Sequence, residues 1–326
     1  MQFSQIVQAY RLGMLLNPPA PVLGGLMHTT YRIDTAEGSF ALKVLNSSVM
    51  ARPEALSNMI ASEKIAAALS AFVPAVHALT ADGSPVVRIG DEYVMLYPWL
   101  SAKPLFPSAL TPRHAAAVGD VLGKIHAADV KIEGDLPFSN RSRPDWPALR
   151  QLAQSGADGG MAPELSLAGL EELEESVREA EKKLGNRTVL SHRDLDAKNV
   201  LWTGDKPSVI DWEAAGPIRP DTELCDAVLA WADDGTGELS KALGSAFLEA
   251  YRACRPTAGV DWEAAFAASA RGPLDWLAYN IRRAAGDGAE NKSARRLGAA
   301  EASRTVHALK RRSQARAFLL DLVGEG

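Results

Sequence analysis

The chain has 326 residues, of which 47% are hydrophobic and 23% charged, and a formal net charge of −5. That length suits two domains or lobes rather than one core, and that composition is a folded protein's rather than a disordered one's. The mild acidity excludes an electrostatic reason to bind nucleic acid, and the two cysteines, Cys225 and Cys254, make neither a disulfide framework nor a zinc motif.

In chain order, MQFSQIVQAYRLG lacks the basic head and apolar run of a signal peptide. Residues 22–46, VLGGLMHTTYRIDTAEGSFALKVLN, read as strand, glycine turn, strand, tight AEGS turn and strand. PEALSNMIASEKIAAALSAF follows with apolar positions at Leu56, Ile60, Ala61, Ile65, Ala68 and Leu69, the spacing of a helix. Ile65 to Ala81 is the longest uncharged stretch. Ser70, Pro74, His77 and Thr80 make it too polar, and its length too short, to cross a bilayer. A soluble cytoplasmic protein with no membrane partner is expected. SPVVRIG and EYVMLYPWL add two strands around a Gly90-Asp91 turn, so residues 1–100 read as a small antiparallel sheet with one long helix.

Beyond Leu100 the proline-rich SAKPLFPSALTP reads as a connector. Thr111 as N-cap and Pro112 at the first helical position open a helix through about His126. The remainder reads as mostly helical, with turn-rich breaks near 134–147 and 155–163. Its only strand signals are VLSH, NVLW and SVID. EELEESVREAEKK, with Glu174–Arg178 and Glu179–Lys183 pairs, is a solvated helix face, and 282–316 is basic and helical. DWEAA occurs at Asp211 and again at Asp261. The flanks differ, so this is coincidence rather than duplication, with Asp261 resembling an N-cap. The fold class expected is α+β in two lobes, 1–100 and a mainly helical 101–326.

The chemistry concentrates in VLSHRDLDAKNVLW. A strand, a polar turn and a second strand put Asp194 and Asn199 on one side of a loop, five residues apart, and Asp211 follows nine residues after Trp202 at the end of SVI. Two carboxylates and an amide oxygen form a hard oxygen site that suits Mg²⁺, which takes few protein ligands and keeps phosphate oxygens. Asp194 is then free to orient a hydroxyl and take its proton. Phosphoryl transfer needs these parts, since its transition state asks for positioning and charge neutralisation. The bland alternative is that Asp and Asn in a turn bond only their own backbone.

In the first half, Gly24-Gly25 with Met27, His28, Thr29 and Thr30 forms a turn whose N–H groups and hydroxyls could cover phosphates, although hairpins use such turns routinely. Lys43, in FALKVL, faces opposite to Leu42 and Val44, toward solvent or a cleft. Glu63, twenty residues on, offers an ion-pair partner to hold it against phosphates.

The set GG…HTTYRI, FALKVL, the Glu63 helix, YVMLYPWL, VGDVLGKIHAAD, HRDLDAKN and IDWE resembles the aminoglycoside phosphotransferase and choline kinase family, over about residues 20–230. The resemblance implies a bilobal, protein-kinase-like fold with a nucleotide-binding first lobe. It implies ATP, with GTP the alternative, and Mg²⁺. Asp194 is then the catalytic base, and Asn199 and Asp211 the metal ligands. Lys43 and Glu63 position the phosphates beneath the Gly24, Gly25, His28 and Thr29 loop, and the Leu96–Leu100 hinge, with Leu96, Tyr97 and Trp99, meets the adenine. His126 and His192 read as structural. The chain departs from the family at Leu195-Asp196-Ala197-Lys198, where Lys198 faces a γ-phosphate or solvent, and at Met27-His28 in the phosphate loop.

Only EAAGPIRPDTE separates the Asp211-Trp212 pair from Leu224, too short for a peptide platform, so a small hydroxylated acceptor is expected. Its pocket would draw on the helices after 230 and the 130–165 stretch, with Glu213, Asp233, Asp234, Asp261, Asp275 and Asn280 as candidates. An acidic pocket suits a polyamine antibiotic, whereas Arg282 or Arg283 would suit an acidic or neutral acceptor. Asp226 reads as a brace for the catalytic loop. The leading expectation is an ATP-dependent phosphotransferase acting on an antibiotic. A metabolic kinase for a sugar, choline, amino alcohol or homoserine-like acceptor comes next, and a non-catalytic nucleotide-binding protein is the rival. Monomer and dimer both stay open.

Overall fold

The computed structural model describes residues 2–22, 27–133, 143–155, 169–287 and 291–324. Its first part runs α1 (Phe3–Ala9), β1 (Ala20–Val22), β2 (Thr29–Thr35), β3 (Gly38–Val44), α2 (Ser47–Met50), α3 (Ala55–Leu69), β4 (Val87–Ile89) and β5 (Glu92–Pro98). The strands form one antiparallel sheet in the order β1-β2-β3-β5-β4. Pairing of Thr35 with Gly38 leaves Ala36-Glu37 as the turn, and Gly38 takes a φ of 129° that side chains with a Cβ rarely adopt.

Alternation along the strands sorts the two faces. Ile33, Leu42, Val44, Val94 and Leu96 pack against Ile6 and Val7 of α1. On the other face Leu45 and Met95 pack against Met59 of α3. Lys43 pairs in register with Met95 and so projects from this second face. The far end of α3, with Ile65, Ala66 and Leu69, enters the large core of the second part, so one helix ties the sheet to the rest.

The second part comprises β6 (Lys103–Pro104), α4 (Pro112–Ala128), α5 (Trp146–Ser155), α6 (Leu170–Leu184), β7 (Val189–Ser191), β8 (Val200–Thr203), β9 (Lys206–Val209) and β10 (Gly216–Ile218). It continues with α7 (Pro220–Ala232), α8 (Lys241–Cys254), α9 (Trp262–Ala268), α10 (Arg271–Ala285), α11 (Lys292–Lys310) and α12 (Arg312–Gly324). The small-sheet and helical-lobe architecture is the α+β expectation. The strands β6 and β10 were not foreseen: KP and GPI are too short and too proline-rich to carry an alternation signal. Asp261 caps α9, its carboxylate accepting the Ala264 N–H at 3.0 Å. Among the described residues no helix is long and apolar enough to cross a membrane.

Two packing facts position the site. α4 crosses α8 at close range, where a Cβ on Gly119 would lie 2.1 Å from the Phe247 carbonyl oxygen and one on Gly123 2.9 Å from that of Tyr251. The core beneath this crossing includes Val118, Leu122, Leu195, Val200, Trp212 and Trp231, so the polar loop after β7 rests on a rigid base. A second core joins Leu274, Leu277 and Ile281 of α10 to α5, α6 and α11. That leaves Trp276 and Tyr279 on a different side of α10.

Candidate active site

The loop between β7 and β8 is held from below. His192, fully buried, has Nδ1 accepting the Asp194 N–H at 3.2 Å and Nε2 2.9 Å from the Ile210 carbonyl, which assigns the ring hydrogen to Nε2. Its ring packs edge-on to Trp212, at 4.6 Å between centroids. Arg193 is left-handed, with φ 67°, and its N–H donates to Glu223 Oε1 at 2.7 Å. Glu223 Oε2 lies 2.8 Å from His126 Nε2, and His126 Nδ1 lies 2.9 Å from the Tyr251 hydroxyl. Burial alone would raise the Glu223 carboxyl. The hydrogen bond and charge of His126 outweigh it and hold the group below the usual range.

Asn199 Nδ2 donates to both the backbone oxygen of Asp194, at 2.8 Å, and its carboxylate Oδ2, at 2.9 Å. Lys198 Nζ lies 3.1 Å from the same carboxylate and 2.5 Å from Asp196. Burial raises the Asp194 carboxyl above its ordinary value, with Lys198 opposing. The Ile210 N–H bonds the Asn199 carbonyl at 2.9 Å, which sets Asp211 beside Asn199. Asp211 is left-handed, with φ 61° and ψ 58°, a conformation that costs energy outside glycine and is sustained where packing over-determines it. Buried Trp212, bonded to the Val209 carbonyl at 3.1 Å, fixes the next residue.

Across the crevice, Lys43 Nζ stands 2.7 Å from Asp211 Oδ1 and 2.8 Å from Glu213 Oε2. Burial would lower this ammonium's pKa, but Glu213 and Asp211 overcome it and hold it well above the ordinary value. For Glu213 burial opposes and Lys43 prevails, so the carboxyl is held far below its usual range.

The expected Lys43–Glu63 ion pair is not among those formed by the described residues. Glu63, buried on α3, instead accepts the Ala78 N–H at 2.5 Å and the Tyr97 hydroxyl at 2.8 Å. Its burial raises the carboxyl despite those two donors. Glu63 therefore anchors the sheet to the 78 loop, while the turn after β9 supplies both carboxylates to Lys43. In the stretch expected to be the hinge, the Leu96 carbonyl accepts the Leu79 N–H at 2.7 Å and the Trp99 N–H donates to the Ser39 carbonyl at 3.1 Å. Arg32 lies 5.0 Å over the Trp99 ring. Tyr97 donates its hydroxyl hydrogen to Glu63.

In the stretch expected to cover phosphates, Gly24 and Gly25 lie outside the described residues. Thr29 opens β2 opposite Val44. His28, buried, accepts the Asn46 N–H on Nδ1 at 3.0 Å, and its Nε2 lies 3.2 Å from Glu213 Oε2 without hydrogen-bond alignment. Glu213, expected among the acceptor-pocket candidates, thus stands with Lys43 and His28. Glu223 carries the bracing role expected of Asp226, which instead faces Ser269 and Arg312. The two share one helix, and only packing decides which faces the loop.

The oxygen groups fit Mg²⁺. Among the described residues no hydrogen bond uses Asn199 Oδ1 or Asp211 Oδ2, and no group of three or more His, Cys, Asp or Glu is placed to hold a metal ion by itself. Few protein ligands with room for phosphate oxygens is the arrangement this ion prefers.

The sequence matches the family model described as the phosphotransferase enzyme family over residues 20–257. A homoserine kinase of Methylobacillus flagellatus is 26% identical over 260 residues, covering 79% of this chain and 77% of that protein. The fold is similar to the crystal structure of a spectinomycin phosphotransferase in complex with ADP and spectinomycin. The TM-score is 0.66 and the identity 14%, over 92% of this chain and 93% of that one. It is also similar to a choline kinase from Cryptosporidium parvum, with TM-score 0.59 and 14% identity, over 98% and 99%. With its bilobal kinase-like fold and a family match covering most of its length, the chain belongs to the phosphotransferase enzyme family.

Proposed function

We propose that the chain transfers the γ-phosphate of ATP to a hydroxyl of a small molecule, with residues 1–100 as the nucleotide lobe and 101–326 carrying the base and the acceptor pocket. The observation that supports this most is the meeting of Lys43 with Asp211, 2.7 Å apart, beside a loop holding Asp194 and Asn199. In this reading Asp194 orients the acceptor hydroxyl and takes its proton as the new oxygen–phosphorus bond forms. The bond between the γ-phosphorus and its bridging oxygen breaks, and ADP leaves. Asn199 and Asp211 would hold Mg²⁺, with Glu213 beside them, and the metal would neutralise charge on the phosphates. Lys43 steadies the phosphates.

A metabolic acceptor is favoured over a polycationic antibiotic. The carboxylates expected to line an acidic pocket are already committed. Asp233 and Asp234 bond their own turns, through Gly235 and Thr236. Asp261 caps α9 and pairs with Lys183, Asp275 lies 3.6 Å from Arg271, and Glu213 holds Lys43. The curated relative, a homoserine kinase, points the same way.

ADP release measured across aminoglycosides, sugars, amino alcohols and hydroxy amino acids tests the reading. Acceptor-stimulated release that disappears in Asp194→Asn is expected. Normal ATP binding with no stimulation by any acceptor would instead support a non-catalytic nucleotide-binding protein.

A further inference from the structure

The loop after β7 carries one charged group that the chemistry above leaves without a task. Lys198 lies in the stretch where the chain departs from the aminoglycoside phosphotransferase and choline kinase pattern. Its Nζ stands 3.1 Å from Oδ1 and 3.1 Å from Oδ2 of Asp194, so it caps both oxygens of the proposed base. Asp196 grips Lys198 at two points. Its Oδ1 accepts the Lys198 N–H at 3.0 Å, and its Oδ2 lies 2.5 Å from the ammonium. The same Asp196 is the N-cap of the single turn Ala197–Asn199, which carries Asn199 into the site.

The contact between Lys198 and Asp194 is built to be exchanged. When the ammonium moves off, Asp194 keeps the Asn199 Nδ2 bond on Oδ2, and Lys198 keeps Asp196. Neither charge is stranded. The Lys198 side chain is more than half exposed, which gives it room to swing. An ion pair that open adds little to stability, so replacing the lysine leaves the fold intact. A cation that stayed on Asp194 throughout would compete with the acceptor's hydroxyl hydrogen for the same oxygens. A cation that steps aside meets the group arriving there. In phosphoryl transfer the γ-phosphorus bonds the oxygen whose proton the base takes, and negative charge spreads over its three equatorial oxygens.

We propose that Lys198 is a further catalytic residue, which passes from Asp194 to the equatorial oxygens of the transferring phosphoryl group, with Asp196 as its positioning residue. This rests on the phosphotransfer reading and deepens it. The acceptor oxygen bonds the phosphorus and its proton goes to Asp194. The bond from phosphorus to the bridging oxygen breaks, with its electron pair leaving on ADP, and Lys198 keeps its own protons. Lys43 steadies the phosphates from the sheet side, and Lys198 supplies positive charge from the side of the base.

Calorimetry in the presence of Mg²⁺ tests this without a known acceptor. It compares AMP-PNP, which imitates bound ATP, with ADP plus aluminium fluoride, which imitates the transferring group. Lys198→Met is expected to weaken the ADP–aluminium fluoride complex on the order of 10²-fold, the effect of removing one charge-stabilising donor. AMP-PNP affinity should change little by comparison. Lys198→Arg should retain most of the complex. Asp196→Asn, which keeps an oxygen for the turn but loosens the ammonium, should lose part of it. In steady-state ADP release, kcat should fall in Lys198→Met while the KM for ATP stays nearly level. An unaltered aluminium fluoride complex in Lys198→Met sinks this inference alone. Equal loss of AMP-PNP and aluminium fluoride affinity would make Lys198 a loop brace, and faster turnover would make it a restraint on the base; either overturns the proposal. A parent protein with neither an aluminium fluoride complex nor ADP release to any acceptor removes the phosphotransfer reading, and this inference with it.

Discussion

Lys43 Nζ and Asp211 Oδ1 stand 2.7 Å apart although 168 residues separate them in the chain. The first comes from the central strand of the sheet and the second from a left-handed turn after β9, so this contact closes the crevice between the two parts. Lys43→Met leaves Asp211 and Glu213 facing each other without a cation. Its KM for Mg·ATP is expected to rise by roughly 10- to 100-fold, the value of a hydrogen bond to charged groups. Steady-state kinetics with varied ATP checks this, and an unchanged KM contradicts it.

Glu223 ties three elements together, through the Arg193 N–H, His126 and, by way of His126, Tyr251. Glu223→Gln keeps the volume but removes the charge from a buried pair. Urea unfolding should show a loss of about 3 kcal/mol, as for other broken buried pairs. Turnover should fall with it, because the Asp194 loop loses its brace. Unaltered stability would show that the network is ornamental.

Gly119→Ala tests the α4–α8 crossing independently of chemistry. The new methyl would fall 2.1 Å from the Phe247 carbonyl oxygen, a backbone atom that cannot rotate away. A destabilisation of about 1–3 kcal/mol is expected from overpacking, whereas a helix-propensity gain without penalty would show that the helices part easily.

Asp226 gives stability its clearest pH dependence. Burial, its largest influence, pushes the carboxyl from 3.8 to about 7, with Arg312 and Ser269 opposing. A raised acid pKa means that the folded state holds its proton where the unfolded chain has released it. The associated stability is complete below about 4 and is lost as pH rises toward 7. Asp226→Asn should therefore gain stability relative to the parent at pH 8 and much less at pH 4. Thermal melts at both values check the sign, and an equal effect at the two would refute it.

What could be read in advance divides by range. The loop after β7 declared itself because Asp194, Asn199 and Asp211 are chemically distinctive types at short spacings, and Lys43 because a lysine interrupts an apolar strand. Its partner did not. Glu63 and Glu213 are both carboxylates, and the choice between them follows from how α3 packs, which buries Glu63 against Ala78 and Tyr97. Glu223 and Asp226 differ by less than one helical turn, so composition could not say which one meets Arg193.

The central claim is that Asp211 binds nucleotide-linked metal while Asp194 acts on the acceptor. ATP binding, titrated by calorimetry with and without Mg²⁺ on the parent, Asp211→Ala and Asp194→Asn, separates these roles without knowledge of the acceptor. The account predicts that Mg²⁺ strengthens ATP binding in the parent and in Asp194→Asn but not in Asp211→Ala. An Asp211→Ala protein that keeps the full Mg²⁺-dependent gain would contradict it.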